Sequence, residues 1–281
     1  MGQTIEILPK TKKIYRRFFH SKVLDKLLHQ TLDFLVGLLA QTCRFNFPEK
    51  FSWDWKLEML LGLYEKETVA VFKKIIKPGM TVVDIGAHIG YYTSLFAKLA
   101  GPQGRVYAFE ADPDNFTLLK KNTERRRNVV LVPQAVSDHS GFIKFYKIKN
   151  STGCHSVIPA NNADEINVPA VSLDDFVSQR DLNVNAIKID IEGGEPFAFR
   201  GMEKLFAQTN NLSVIMEFSP QALKSAEVDP FEFLQKIKNY GFEILQIFPN
   251  AETKTLALKN IESLDWYRTG YANLLLKKHV A

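Results

Sequence analysis

The chain has 281 residues, 46% hydrophobic and 24% charged, with a net charge of +5 and a pI of about 9.0. That length suits one α/β unit with an extension, and the composition excludes a disordered, collagen-like or disulfide-stapled chain. Two cysteines, Cys43 and Cys154, stand at no metal-ligand spacing, so a reducing, cytoplasmic setting is expected, without a secretory signal.

In chain order, the positive charge comes first. Lys10, Lys12, Lys13, Arg16, Arg17, Lys22 and Lys26 crowd the first segment. Val23 to Ala40 then repeats apolar residues at a helical period through Leu24, Leu27, Leu28, Leu32, Leu35 and Leu39. Its unbroken apolar stretch, Phe34 to Ala40, is far shorter than the ~20 residues that span a bilayer. Two readings stand for it: packing on this protein or on its twin in a homodimer, or peripheral contact with an anionic membrane surface. Residues 1–52 are read as a basic, helical N-terminal extension, and residues 53–281 as the main domain.

Trp53 to Ile76 reads as one helix, stopped by Pro78 and Gly79. Thr81 to Ile85 is a buried strand, after which Gly86 and Gly90 turn the chain into the helix-like run Tyr91 to Leu99. The next strand, Arg105 to Glu110, ends on an acid able to accept hydrogen bonds from both hydroxyls of a ribose. Strand, glycine turn and helix N-terminus together suit a nucleotide-like ligand. A dinucleotide turn centred on Gly86 needs glycines at positions 84 and 89, where the chain has Asp84 and Ile89. Asp84 repels a diphosphate but suits a ligand carrying an ammonium and a sulfonium, as S-adenosylmethionine does. The residues expected to line that cofactor are Asp84, Gly86, Ala87, His88, Gly90, Glu110, Ala111, Gln134, Ala135 and Asp190.

Pro113 suits the first turn of a helix, whose end carries the second basic cluster, Lys121 and Arg125 to Arg127. Strand three is Val129 to Val132. Gly141 to Lys147, His155 to Val157 and Asn167 to Val171 read as short strands and loops outside the alternation. Strand four is Ala186 to Asp190 and strand five Leu212 to Glu217; a helix Pro230 to Asn239 precedes an antiparallel pair, Phe242 to Ile247 and Ala272 to Lys277. Such alternation predicts a mostly parallel sheet with its ligand at the carboxyl ends of the strands, where Asp84, Glu110, Asp190 and Glu217 fall. Lys188 shares a face with Asp190, which permits a structural ion pair beside any binding role.

Several runs resemble the FkbM-type methyltransferases in order: Val83-Asp84-Ile85-Gly86-Ala87-His88-Ile89-Gly90-Tyr91, Ala135-Val136-Ser137-Asp138, Ser172-Leu173-Asp174-Asp175-Phe176 and Lys188-Ile189-Asp190-Ile191-Glu192-Gly193-Gly194-Glu195. Tyr64-Glu65-Lys66-Glu67 and Lys77-Pro78-Gly79 resemble the family's lead-in. The resemblance implies a class I methyltransferase fold, Rossmann-like α/β, with a seven-stranded, mostly parallel sheet and an antiparallel last strand. It also implies O-methylation of a small molecule, sugar or glycan. His88 is a departure, since the family more often carries asparagine there.

The candidate catalytic residues are Asp190, His88, Glu192 and Glu217. His88 is read either as a base for a hydroxyl proton or as a loop residue doing what asparagine does, and His155 is a second histidine on a loop. Asp190 and Glu217 could supply two oxygens to Mg²⁺, but without a clear third ligand no metal site is assigned. Two other classes are weighed. An RNA or other macromolecule methyltransferase fits the charge, but the Asn-Pro-Pro-aromatic motif is missing and no nucleic acid is expected. A non-catalytic binding protein of this fold is disfavoured by the intact loop.

Overall fold

The computed structural model describes residues 22–49, 51–149, 151–264, 266–267 and 270–278, without the side chains of 22–26 and 260. The basic cluster from Lys10 to Arg17 and the side chains of Lys22 and Lys26 therefore lie outside the described residues. The chain divides into two compact units, one ending at Tyr64 and one beginning at Glu65.

In the first unit, helix α1 (Lys22–Cys43) packs against helix α2 (Trp53–Leu60). Trp53 Nε1 donates to His29 Nδ1 at 2.9 Å, and Lys56 Nζ pairs with Asp33 at 2.8 Å. Phe45, Phe47, Phe51, Trp55 and Tyr64 form a chain of ring contacts beside them. The boundary read after residue 52 thus falls inside this unit, because α2 takes its polar partners from α1. The single helix expected over Trp53–Ile76 is two. α2 ends at Leu60, and α3 (Lys66–Ile75) starts after Glu65, with Gly62 (φ +68°) and Glu65 (φ +43°) in left-handed conformations that no helix tolerates.

The second unit is built on an eight-stranded sheet. Its strands are β1 (Thr81–Ile85), β2 (Arg105–Phe109), β3 (Val129–Val132), β7 (Ala186–Ile189), β8 (Leu212–Phe218), β9 (Phe242–Ile247), β10 (Thr253–Thr255) and β11 (Ala272–Lys278). The order is β10-β9-β11-β8-β7-β1-β2-β3. Neighbours from β3 to β8 pair in parallel, whereas β11 runs antiparallel to both β8 and β9. Seven of these strands match the expected sheet with its reversed last strand, and β10 adds a short antiparallel edge to β9. The strand order reverses between β1 and β7, which opens a crevice at their carboxyl ends.

β1 and β7 are buried along almost their whole length, as strands covered by helices on both faces are. One large core cluster joins Val83, Ile85, Ile187, Ile189, Val214 and Met216 of the sheet to Phe176, Phe199, Phe206 and Phe233 of the helices. Side-chain caps start the helices where proline follows: Asp112 before Pro113 accepts from the N–H groups of Asp114 and Asn115, and Asp229 before Pro230 accepts from Glu232.

The runs read as lying outside the alternation form a second, three-stranded sheet. β5 (Gly141–Ile148) and β6 (Ala163–Val171) are an antiparallel hairpin, and β4 (Ala135–Val136) joins β6 in parallel. Of His155 to Val157 only Ser156 pairs, through a bridge to Tyr146.

Candidate active site

The Gly86 turn is dictated by its neighbour strand. Gly86 has φ +77°, and a Cβ there would stand 2.0 Å from the carbonyl oxygen of Asp190. Ile85 in turn accepts from the Asp190 N–H at 3.1 Å, so β1 and β7 close on each other at this point. Gly86 and Ala87 donate their N–H groups to the Phe109 carbonyl at 3.1 and 2.9 Å, which folds the loop over the end of β2. Gly90 caps helix α4 (Tyr91–Ala100) at φ +90°, where a Cβ would meet Leu119 at 2.9 Å.

Glu110 lies one residue past β2 and is buried. Its carboxylate receives the His88 N–H at 2.7 Å and the Asp112 N–H at 2.8 Å. Burial pushes it up to about 7, against the pull of those two donors. Asp84 is fully buried within β1; one oxygen accepts from Thr93 Oγ1 at 2.6 Å and the other, Oδ1, has no hydrogen-bond partner. Burial raises the Asp84 carboxyl, with Lys188 and Thr93 opposing. Lys188 Nζ contacts Asp190 Oδ2 at 3.1 Å and lies 5.1 Å from the centroid of the Tyr92 ring. Burial opposes its charge, but Asp190 and Asp84 hold it above the ordinary lysine range.

Past β7 the chain makes a tight turn through Glu192 (φ +53°) and Gly193 (φ +96°). Glu195 ties this turn, accepting from the N–H groups of Ile191 at 3.1 Å and Gly193 at 3.0 Å. Ser156 Oγ donates to the Glu192 carbonyl at 2.7 Å, which anchors the hairpin loop to it. The turn brings Glu192 to Asp190 and to Glu217 on β8, so that one carboxylate oxygen from each lies within 4.8 Å of the others. Burial, then the charge of Asp190, pushes Glu192 up to about 8, and the same two causes raise Glu217 well above the carboxylate range.

The structure thus gathers Asp84, Gly86, Ala87, His88, Gly90, Glu110, Asp190, Glu192 and Glu217 around the carboxyl ends of β1, β2, β7 and β8. Ala111 packs against the small core of Ala135, Phe145, Val168 and Ala170, while Gln134 is half-buried in the turn after β3. Burial lowers the His88 imidazole to about 4, so it is neutral at physiological pH. His155 accepts the Ile148 N–H on Nδ1 at 3.0 Å and is likewise lowered by burial.

Sequence reasoning missed three residues here. Glu65 accepts from the Tyr92 hydroxyl at 2.8 Å, and its charge adds to the raising of Glu217. Tyr271 is raised by burial and by Glu217. Asp112 pairs with Lys147 at 2.7 Å while it caps its helix. Only Asp112 carried a local signal, the acid-proline pair at a helix start.

Residues 84–244, more than half of the chain, match the model of the methyltransferase FkbM domain. The chain belongs to the FkbM methyltransferase family. Among relatives, it is 25% identical over 159 residues to the hexuronic acid methyltransferase AglP of Haloferax volcanii, covering 56% of this chain and 63% of that one. It is 30% identical over 160 residues to the 31-O-demethyl-FK506 methyltransferase FkbM of Streptomyces tacrolimicus, covering 46% of this chain and 61% of that one. The chain therefore spans less than two thirds of these curated relatives. Among solved structures, a SAM-dependent O-methyltransferase of Thermotoga maritima aligns with a TM-score of 0.43 at 12% identity, over 79% of this chain and 71% of that one. The matched FkbM segment begins at Asp84 and includes Glu110, Asp190, Glu192 and Glu217.

For His88, replacement by asparagine is the informative change. His88→Asn is expected to leave the pH profile of kcat unchanged, because an imidazole at about 4 is already neutral and its backbone N–H, not its ring, holds Glu110. Loss of the acidic limb of that profile, the fall in rate as a base is protonated, would make His88 the base.

Proposed function

We propose that this chain transfers a methyl group from S-adenosylmethionine to a hydroxyl of a small molecule, sugar or glycan. The observation that carries this reading is Glu110, a buried carboxylate one residue past β2, held by two backbone N–H groups beside the Gly86 turn. The orphaned Oδ1 of Asp84 is a second acceptor, and the acids across the crevice suit a ligand with positive charge at its amino-acid end. FkbM family membership, and the names of two relatives that act on a hexuronic acid and on a demethylated hydroxyl of FK506, point to the same chemistry.

The cofactor, when bound, supplies an electrophilic methyl on its sulfonium. The protein's work is then alignment, exclusion of water and proton management. Glu110 would accept from the ribose hydroxyls and Asp84 and Asp190 would hold the amino-acid end, with Lys188 fixing the position of Asp190. Glu192 takes the proton from the acceptor hydroxyl: a carboxyl at about 8 is matched to that task near neutral pH, where an imidazole at about 4 is not. Glu217 stands in the same cluster of oxygens. Residues from Glu65 onward carry this apparatus. The two cysteines are free and exposed, which supports a reducing, cytoplasmic setting.

A second reading rests on Glu192, which the structure places as a third carboxylate beside Asp190 and Glu217. Asp190, Glu192 and Glu217 present the oxygen donors that Mg²⁺ prefers. Two experiments separate these readings. Calorimetric titration with S-adenosylmethionine is expected to show binding absent with NAD⁺, and tritiated methyl from the cofactor is expected in uronic acids or other polyols. EDTA is expected to leave that incorporation unchanged; loss restored by Mg²⁺ alone would assign the trio to the metal. No binding of the cofactor would overturn the proposal.

A further inference from the structure

Helix α1 is turned the wrong way for a helix of a soluble unit. The side it presents to α2 carries His29, Asp33, Val36 and Ala40, with His29 and Asp33 bonded to Trp53 and Lys56 and the other two buried. The opposite side carries Leu27, Leu28, Phe34, Leu35, Leu38 and Leu39, all exposed, with Phe34 at 66% and Leu27 at 55%. At 100° per residue these six fill an arc of about 140°, and only threonine and leucine share it. More than half of the exposed large hydrophobic residues of the described chain thus stand on one stripe of one helix. A stripe of that size is a contact surface rather than scatter.

Charge selects the occupant. Seven lysines and arginines lie between residues 10 and 26, directly before the stripe, against one acid, Asp25. A second copy of this chain would bring the same cations to the interface, whereas anionic lipid neutralises them. No described helix is long and apolar enough to cross a membrane, so the stripe can lie in the interface plane but not span it. We propose that the outer face of α1 docks flat on an anionic lipid bilayer, to which the positive charge of the sequence before it attracts the chain.

The test is flotation of the full chain with vesicles of phosphatidylcholine alone or with 30% phosphatidylserine. The expected result is at least tenfold more protein on the anionic vesicles, reduced at least tenfold in the double variant Leu35→Glu/Leu38→Glu and weakened by 0.5 M salt. A second variant, Lys12→Glu/Lys13→Glu/Arg16→Glu/Arg17→Glu, leaves the stripe intact and is expected to lose the preference for anionic vesicles. Three outcomes would overturn the proposal. One is failure of the wild-type chain to float. Another is a doubled solution mass that Leu35→Glu/Leu38→Glu returns to the monomer, which would give the face to a second copy. The last is a lowered unfolding midpoint in that variant, which would make the face internal.

Discussion

Gly86→Ala is expected to lower the unfolding free energy by about 3 kcal/mol or more, from left-handed strain and overpacking together. The steric part is the larger because the obstacle cannot move cheaply. The new Cβ would stand 2.0 Å from the Asp190 carbonyl oxygen and 3.0 Å from Ile191 Cγ2, and Asp190 is fastened to Ile85 through its own N–H. Relief requires β1 and β7 to part beside Asp190, at the loop whose His88 N–H holds Glu110, so cofactor binding is expected to fall further than stability does. Gly79→Ala is the control. Gly79 has φ +89° with open space around its Cβ position, so only the conformational cost of about 1–2 kcal/mol applies. Urea unfolding of the two variants, compared by midpoint at constant slope, separates the terms. Equal losses would show that the β1–β7 contact yields, and would remove the argument that Gly86 is dictated by Asp190.

That contact also shows what was legible from residues alone. Asp84, Glu110, Asp190 and Glu217 were readable because strands of period two and their turn residues locate strand ends, and strand ends of a parallel sheet share one edge. The glycines were readable because a turn from buried strand to helix needs left-handed backbone. The FkbM motif order added the family. The rest required tertiary contacts. Glu192 joins Asp190 and Glu217 only because a non-glycine residue adopts φ +53° while Glu195 ties the turn beneath it, and nothing in Ile191-Glu192-Gly193-Gly194 declares which residue bends. Glu65 and Tyr271 reach the same acids from distant parts of the chain. The two-helix break before Lys66 was hidden by an apolar period that runs through Leu61 and Tyr64 without interruption. The hairpin of β5 and β6 was split because Pro169 and the polar run from Ala163 weaken its strand pattern, although its inward residues Phe145, Val168 and Ala170 form a core of their own.

Binding of S-adenosylmethionine is expected to tighten about tenfold per pH unit between pH 5 and 7, with release of a proton, through Glu110. The sign follows from two states of one carboxyl. In the folded chain burial pushes it up to about 7, while in the unfolded chain it titrates near 4.5. The protonated form therefore favours folding: that contribution is full below pH 4.5 and is lost as pH rises to 7, amounting to about 3 kcal/mol. Ribose hydroxyls donate to the ionised form, so the ligand must draw the proton off, which costs binding energy below pH 7 and nothing above it. Glu110→Gln removes the titration and the charged acceptor together. It is expected to weaken binding roughly 10- to 100-fold at pH 7.5, where a hydrogen bond to a charged group is lost, and to flatten the slope below pH 7. Glu192, at about 8, Glu195, at about 7, and the raised Glu217 also release protons in or above this window. The informative quantity is thus the difference in protons released by the wild-type chain and the variant, read by calorimetry at pH 6 in two buffers of different ionisation enthalpy. A difference near one proton assigns the titration to Glu110. Equal release in both would place it in Glu192, Glu195 and Glu217, and Glu110 would then bind its ligand already ionised, its burial offset by the N–H groups of His88 and Asp112.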